Sequence, residues 1–340
     1  MSYRSISLLK SLNRITGTSR IQKRCRSHKP RPVTVIHSNV TNAVAQVMDA
    51  MHAPVYFETY DIKGNMNYFP WEVVDSIRKN KVCLSDRLKT SLCSPARKEL
   101  NLFVSMVNCY GQKGNENVDI VVIRENTRSQ YAGREHEVVP GVIQTFQVTM
   151  TKFWSDRIAK YAFEFAQFNK RKKVTATTTR EKDENFMKLA DTFFLESCQE
   201  VAKLYPSITY DEISVDNCSL RLVETPERFD VIITPNLYGD IIVNVAAGIS
   251  GRGNGNIIMH GGSFGVEYAV YEQVGSVGND ENPITLLFSS VMMLRHLQLP
   301  LFADRLETAL KRAVSQGQIF RNCSNVTTQE VVDAVIANLD

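Results

Sequence analysis

Short, nearly apolar runs recur along this chain and alternate with longer segments whose apolar residues return every three or four positions. Pro32–Ile36 (PVTVI), Val118–Ile123 (VDIVVI), Ile208–Val215 and Phe229–Thr234 are runs of the first kind, and Lys172–Ala176 is a shorter one. Val40–Met51 is of the second kind, with Val44, Val47, Met48 and Met51 on one helical face. Ser155 is the expected N-cap of a helix carrying Ile158, Ala162, Phe165 and Phe168. Asn185–Leu204 predicts a long helix with Phe186, Leu189, Phe193, Ser197, Val201 and Leu204 aligned. Thr285–Leu297 and Leu301–Val314 predict two more, separated at Pro300. Strands interleaved with helices define an α/β class. The glycine-rich stretch Gly251–Gly262 reads as a flexible loop, and His260 as an ordinary loop residue.

A chain of 340 residues has room for about two domains, and its 43% hydrophobic and 22% charged content is ordinary for a globular protein. No apolar run approaches the length of a membrane span. The net charge of +4 is unevenly placed. Residues 1–31 hold Arg4, Lys10, Arg14, Arg20, Lys23, Arg24, Arg26, Lys29 and Arg31, and the first acidic residue is Asp49. Ile6, Leu8, Leu9, Leu12 and Ile15 share a possible helical face there. An Arg-rich, acid-free, amphipathic N-terminus is the pattern of a mitochondrial transit peptide, which places the mature chain in the matrix. Without its nine positive charges the formal balance falls from +4 to about −5. No basic, aromatic-interleaved surface follows, so neither nucleic acid nor membrane is an expected partner. Seven scattered cysteines, with no CxxC pair, predict reduced thiols.

Two segments carry chemistry. Arg124–Glu137 (RENTRSQYAGREHE) sets a guanidinium and the Tyr131 phenol seven residues apart, directly after VDIVVI. Asn236–Asp240 (NLYGD) ends in a carboxylate after FDVIITP. Arginine forks a carboxylate, tyrosine passes a proton and aspartate ligates a hard divalent cation. These are the parts needed to bind and decarboxylate a polycarboxylic acid. Taken alone, each aspartate is more often a cap or turn residue than a metal ligand, and Ser91 and Arg97 are as readily a solvated loop pair.

Together with RIAKYAFEFA, FMKLADTFF, VDN and NLYGDII, these segments resemble the isocitrate and isopropylmalate dehydrogenase family from about Pro32 to the C-terminus. The resemblance is nearest to the mitochondrial NAD-dependent isocitrate dehydrogenases, and within them to the beta- and gamma-type subunits. It implies a two-lobed α/β fold with a clasp, not a Rossmann fold, and no GxGxxG is present. The implied large lobe takes residues 32–105 and 251–340. The small lobe takes 106–250, with a clasp at about 132–151 pairing with a second subunit.

The family pattern makes Ser91, Arg97 and Arg124 substrate-binding residues, Tyr131 the general acid, Asp216 and Asp240 metal ligands, and Asn282 an adenine contact. Several expected partners are replaced. Val107 stands where the second substrate arginine belongs, and Cys93 where an asparagine does. The HK pair that supplies the catalytic lysine is missing from Val174–Lys188, where only Arg180 or Lys182 come near the place. Asn244 replaces a third metal carboxylate, and HSNVTNAV, from His37 to Val44, lacks the family's glycines. YAVYE matches the YAVFE of non-catalytic subunits. The resemblance therefore implies a regulatory subunit acting beside a catalytic alpha-type subunit. It would bind isocitrate or citrate, with ADP as an effector, in a complex that uses NAD and Mg²⁺ or Mn²⁺. Alternatives are a purely structural pseudoenzyme, an active dehydrogenase using Lys182, and a sister enzyme acting on isopropylmalate or tartrate.

Overall fold

A computed structural model describes residues 29–62, 70–86, 97–111, 118–126, 135–145, 151–179, 188–250, 258–273, 283–317 and 327–339. Its strands are β1 (Arg31–Ile36), β2 (Val55–Tyr60), β3 (Val82–Ser85), β4 (Val104–Tyr110), β5 (Asp119–Glu125), β6 (Glu135–Val139), β7 (Val142–Thr145), β8 (Lys173–Thr178), β9 (Thr209–Ser214), β10 (Val231–Thr234), β11 (Ile258–Phe264) and β12 (Ala269–Glu272). Its helices are α1 (Asn39–Ala50), α2 (Trp71–Asn80), α3 (Lys152–Phe168), α4 (Lys188–Ala202), α5 (Val215–Glu224), α6 (Asn236–Ser250), α7 (Ile284–His296), α8 (Pro300–Ser315) and α9 (Thr328–Ile336). Each strand and helix expected above is present, with ends moved by a few residues.

Among the described residues the sheet has ten strands, in the order β2-β1-β3-β12-β11-β4-β5-β10-β8-β9. β2, β1, β3 and β12 run parallel, and so do β5, β10, β8 and β9. Between them lie three antiparallel pairings, β12–β11, β11–β4 and β4–β5. Three reversals leave β12 antiparallel to β5. Glu272 pairs with Gly261, Gly261 with Val107 and Val107 with Val122, so Glu272 stands level with a residue two short of Arg124.

Both faces of the sheet are covered, and β5 shows why its run is apolar throughout. Val121 and Ile123 join the large core with α1, α3, α4, α7, α8 and α9. Ile120 and Val122 join a second core with Cys218 and Leu222 of α5 and with Ile242, Val243, Ala246 and Ile249 of α6. α2 covers β1, β3 and β12 through Val73, Val74 and Ile77.

Three expectations are corrected. The N-cap of α3 is Thr151, whose hydroxyl accepts from Trp154 N at 3.3 Å, while Ser155 lies in the first turn and donates back to Thr151 O at 3.2 Å. α4 buries Phe194, Ser197, Cys198 and Val201, but leaves Leu189 and Phe193 exposed, and Leu204, also exposed, lies beyond its end. Two apolar stripes lie side by side on this helix, and α3 covers the one that starts at Phe194; Phe186 is outside the described residues. His260 belongs to β11, with its ring edge-on to Tyr110 at 5.5 Å between centroids. Burial pushes its imidazole down to about 4. Pro300 does not merely separate two helices; it opens α8, where its missing N–H costs nothing.

β6 and β7 form a separate hairpin inside the expected clasp range. Gly141 turns it at φ +83°, a conformation suited to glycine, and donates to Glu137 Oε1 at 3.0 Å. Val138, Val139, Val142 and Ile143 stand exposed on it. Cys83, Cys109, Cys198 and Cys218 are free and buried; burial pushes Cys109 and Cys218 up to about 12, so both remain thiols. Among the described residues no helix is long and apolar enough to cross a membrane.

Candidate functional site

Arg124 is the penultimate residue of β5 and pairs in register with Thr234 on β10. After Thr234 the chain needs only Pro235 before α6 begins, so the first turns of that helix sit over the end of β5. Gly239 faces the stem of Arg124 so closely that a Cβ there would lie 1.9 Å from Arg124 Cδ and 2.4 Å from Cγ. The next residue, Asp240, meets Arg124 Nη1 through Oδ2 at 2.6 Å. The arginine is buried, whereas the Asp240 side chain is 74% exposed. Burial lowers the pKa of the guanidinium and Asp240 opposes the shift. The GD of NLYGD therefore has two jobs, clearance for an arginine stem and a counter-charge for its head.

Arg97 lies close enough for its charge to act on Arg124. Its Nη2 is 3.8 Å from Glu272 Oε2, an ion pair too long for a hydrogen bond, and its Nε is buried with no hydrogen-bond partner. Glu272 ends β12, is only 14% exposed, and its charge also favours the charged form of Arg124. Two guanidinium groups and two carboxylates thus share the zone where the strand direction reverses. Such a pair of guanidinium groups is suited to a ligand with two or more carboxylates.

Val107 is buried in the second core on β4, beside Cys109 and Met259, so hydrophobic packing occupies the place of the missing arginine. Asp216 is in the first turn of α5 and is exposed. Asn244 is exposed one turn beyond Asp240. Ser91, Tyr131 and Asn282 lie outside the described residues, as do Cys93, Arg180 and Lys182.

A divalent cation needs several oxygen ligands, mostly charged. Here the Asp240 carboxylate already holds a guanidinium, an amide stands at position 244, and among the described residues no group of three His, Cys, Asp or Glu can hold a metal. The donors of this chain by themselves do not fit such an ion. The loop after β1 is likewise closed on itself. Ser38 Oγ accepts from Thr41 N at 3.1 Å and Thr41 Oγ1 accepts from Ser38 N at 2.8 Å, a capping box that consumes backbone donors at the start of α1. His37 pairs with Asp61 at 3.2 Å and with Asn42 at 3.1 Å.

Sequence reasoning passed over three residues. Glu272 carries only the signal of a carboxylate ending an apolar run. Gly239 lies inside a quoted motif, but its packing role needs coordinates. Asp191 of α4 accepts from Thr179 N at 3.1 Å and from the Thr179 hydroxyl, pinning the end of β8. Tyr238 of α6 is pushed up to about 12 by burial and then by Asp191.

The isocitrate/isopropylmalate dehydrogenase model matches residues 32–335, and the chain belongs to that family. It is 55% identical to regulatory subunit 2 of mitochondrial NAD isocitrate dehydrogenase from Arabidopsis thaliana, an alignment covering 100% of both chains. It is 33% identical to catalytic subunit 5 of the same plant enzyme, over 99% of this chain and 96% of the relative. Among solved structures, the isocitrate dehydrogenase of Methylococcus capsulatus superposes with a TM-score of 0.81 at 30% identity, covering 91% of this chain and 99% of that one. Membership implies NAD and a divalent metal for the complex in which such a chain works.

Proposed function

We propose that this chain is a regulatory subunit of a mitochondrial NAD-dependent isocitrate dehydrogenase. In it, Arg97 and Arg124 bind isocitrate or citrate, while a catalytic subunit carries the oxidative decarboxylation to 2-oxoglutarate. The observation that carries this reading is the unequal survival of the site. Both guanidinium groups are present, each beside a carboxylate and near enough for the charge of Arg97 to act on Arg124, whereas among the described residues the metal donors are incomplete and the second arginine position is a core valine. Binding charge has been kept where catalytic ligation has not. The far greater identity to a regulatory than to a catalytic relative supports the same division.

In this reading the chain's own residues bind and orient. Arg124, fixed by Gly239 and the sheet, presents a rigid fork to one carboxylate, and Arg97 takes a second through its unpartnered edge. Ser91 and Tyr131 add hydroxyl contacts, Asp216 and Asp240 are the remaining carboxylates of the metal position, and Asn282 belongs to an adenine-nucleotide position that would take ADP. The lobes divide at about residues 105 and 250, and residues 1–31 are removed on import to the matrix. The hairpin's exposed valines and Ile143 form the clasp surface that a second subunit covers. Covering them removes apolar area from water and links the two sites physically.

The test is isocitrate-dependent NADH formation with Mg²⁺, for the mature chain from about Pro32, alone and mixed with a catalytic alpha-type subunit. No activity alone and a rise above the catalytic subunit's own rate on mixing is the expected result. Turnover by the chain alone would overturn the regulatory reading. Absence of any complex on mixing would leave a structural pseudoenzyme as the better account.

A further inference from the structure

Arg97 and Arg124 bring two positive charges into one cluster, and Asp240 and Glu272 bring two negative ones, so its formal charge is zero before any ligand arrives. The two pairs are unlike. Arg124 and Asp240 are in short contact at 2.6 Å, yet the aspartate side chain is 74% exposed. Arg97 and Glu272 are 3.8 Å apart with the carboxylate only 14% exposed, and Arg97 Nε has no partner. One carboxylate is tightly bound but free to swing into water; the other is fixed but leaves its arginine unsatisfied.

We infer that Asp240 is an internal counter-anion that occupies Arg124 in the ligand-free chain, and that a polycarboxylate enters by docking on Arg97 and displacing Asp240. The inference rests on the reading of Arg97 and Arg124 as a polycarboxylate site. Its physical content is competition. An incoming carboxylate must exchange for one already hydrogen-bonded to a buried guanidinium, so Asp240 weakens anion binding by about what a charge-assisted hydrogen bond contributes. Asp240 leaves readily because its carboxylate is already largely hydrated, whereas Glu272 is held by its position in the sheet. Gly239 makes the exchange possible, since it keeps the Arg124 stem in place while the counter-charge moves. In this chain the aspartate of NLYGD is thus a determinant of anion affinity with no metal present.

The experiment is calorimetric titration of citrate into the full chain in EDTA at pH 7.5, for the native protein, Asp240→Asn, Glu272→Gln and Arg124→Gln. Asp240→Asn is isosteric, but it leaves the buried Arg124 guanidinium without its counter-charge, so its thermal midpoint without citrate should fall. It should bind citrate roughly tenfold more tightly. Glu272→Gln should also gain affinity and likewise unfold at a lower temperature without citrate, because Arg97 loses its counter-charge. Unchanged or weaker binding in Asp240→Asn, with binding lost in Arg124→Gln, would overturn the inference and leave the polycarboxylate site standing. Binding absent from every protein, or unaffected by Arg124→Gln, would sink the site itself and the inference with it.

Discussion

Replacing Gly239 by alanine is the sharpest probe of how this site is built. The new Cβ would lie 1.9 Å from Arg124 Cδ and 2.4 Å from Arg124 Cγ, closer than real atoms approach. The stem is buried between the sheet and α6, so it has little room to move, and displacing it also breaks the contact with Asp240. Overpacking of this kind costs about 2 kcal/mol. At about 2 °C per kcal/mol for a chain of this size, the thermal midpoint should fall by about 4 °C. The informative measurement is the same substitution made beside Arg124→Ala. Arg124→Ala removes the two closest clashes and leaves only the Cβ of residue 124 at 3.0 Å, while alanine is favoured over glycine in a helix by about 0.8 kcal/mol. The cost of Gly239→Ala should therefore shrink sharply in the Arg124→Ala background. Circular dichroism melts of the four proteins give the coupling directly. If Gly239→Ala is equally destabilising with and without the arginine stem, the packing argument is wrong.

Other outcomes follow from single features. Glu164 of α3 is buried with Oε2 unpartnered, and burial pushes its carboxyl up to about 7. Its folded pKa exceeds its unfolded one, so its contribution is fully present below about pH 4.5 and lost as pH rises through about 7; Glu164→Gln should gain about 1–2 kcal/mol on the native protein between pH 5 and pH 8 in urea unfolding, and a parallel pH dependence of the two would refute this. Val107→Arg should not restore a substrate arginine, because the side chain enters the second core; a loss above about 3 kcal/mol, seen as a fall in denaturant midpoint or soluble yield, is expected, and tighter citrate binding would contradict it. Ile143→Asp on the exposed hairpin should leave the melting of the isolated chain within about 0.5 kcal/mol of native yet weaken its complex with a catalytic subunit on size exclusion. An undiminished complex would remove the hairpin from the interface.

The sheet was legible because its strands announce themselves. VDIVVI and FDVIIT are apolar at nearly every position, and the structure uses both faces of each. Helix faces were legible where one apolar stripe exists, as in α1, where Val44, Val47, Met48 and Met51 are all buried. They failed where two stripes compete. On α4, Leu189–Phe193 and Phe194–Cys198 satisfy the same period, and only the position of α3 decides between them. The N-cap of α3 was missed because Thr151 and Ser155 are both competent caps four residues apart. His260 was misplaced because glycines on both sides suggest a loop, although two of them, Gly261 and Gly262, lie within β11 itself.

The site divides along a similar line. Arg124 is legible because a guanidinium near the end of an apolar run is rarely there for packing, whereas Arg97 is legible only through the family pattern; the charge of Arg97 reaches Arg124. What no reading of residue types could supply is the pairing. The family pattern makes Asp240 a metal ligand, and its chemistry allows that, but a carboxylate answers equally well to a metal cation and to a guanidinium. Which one it meets depends on whether an arginine stem can pass the residue before it, and that depends on a missing methyl at position 239. Glu272 entered for a related reason, since three antiparallel pairings bring the end of β12 level with Val122, though 150 residues separate the two in sequence. The charges that bind were therefore readable one by one, while their mutual neutralisation, which sets how strongly the chain takes an anion, is a property of sheet order and of one close contact.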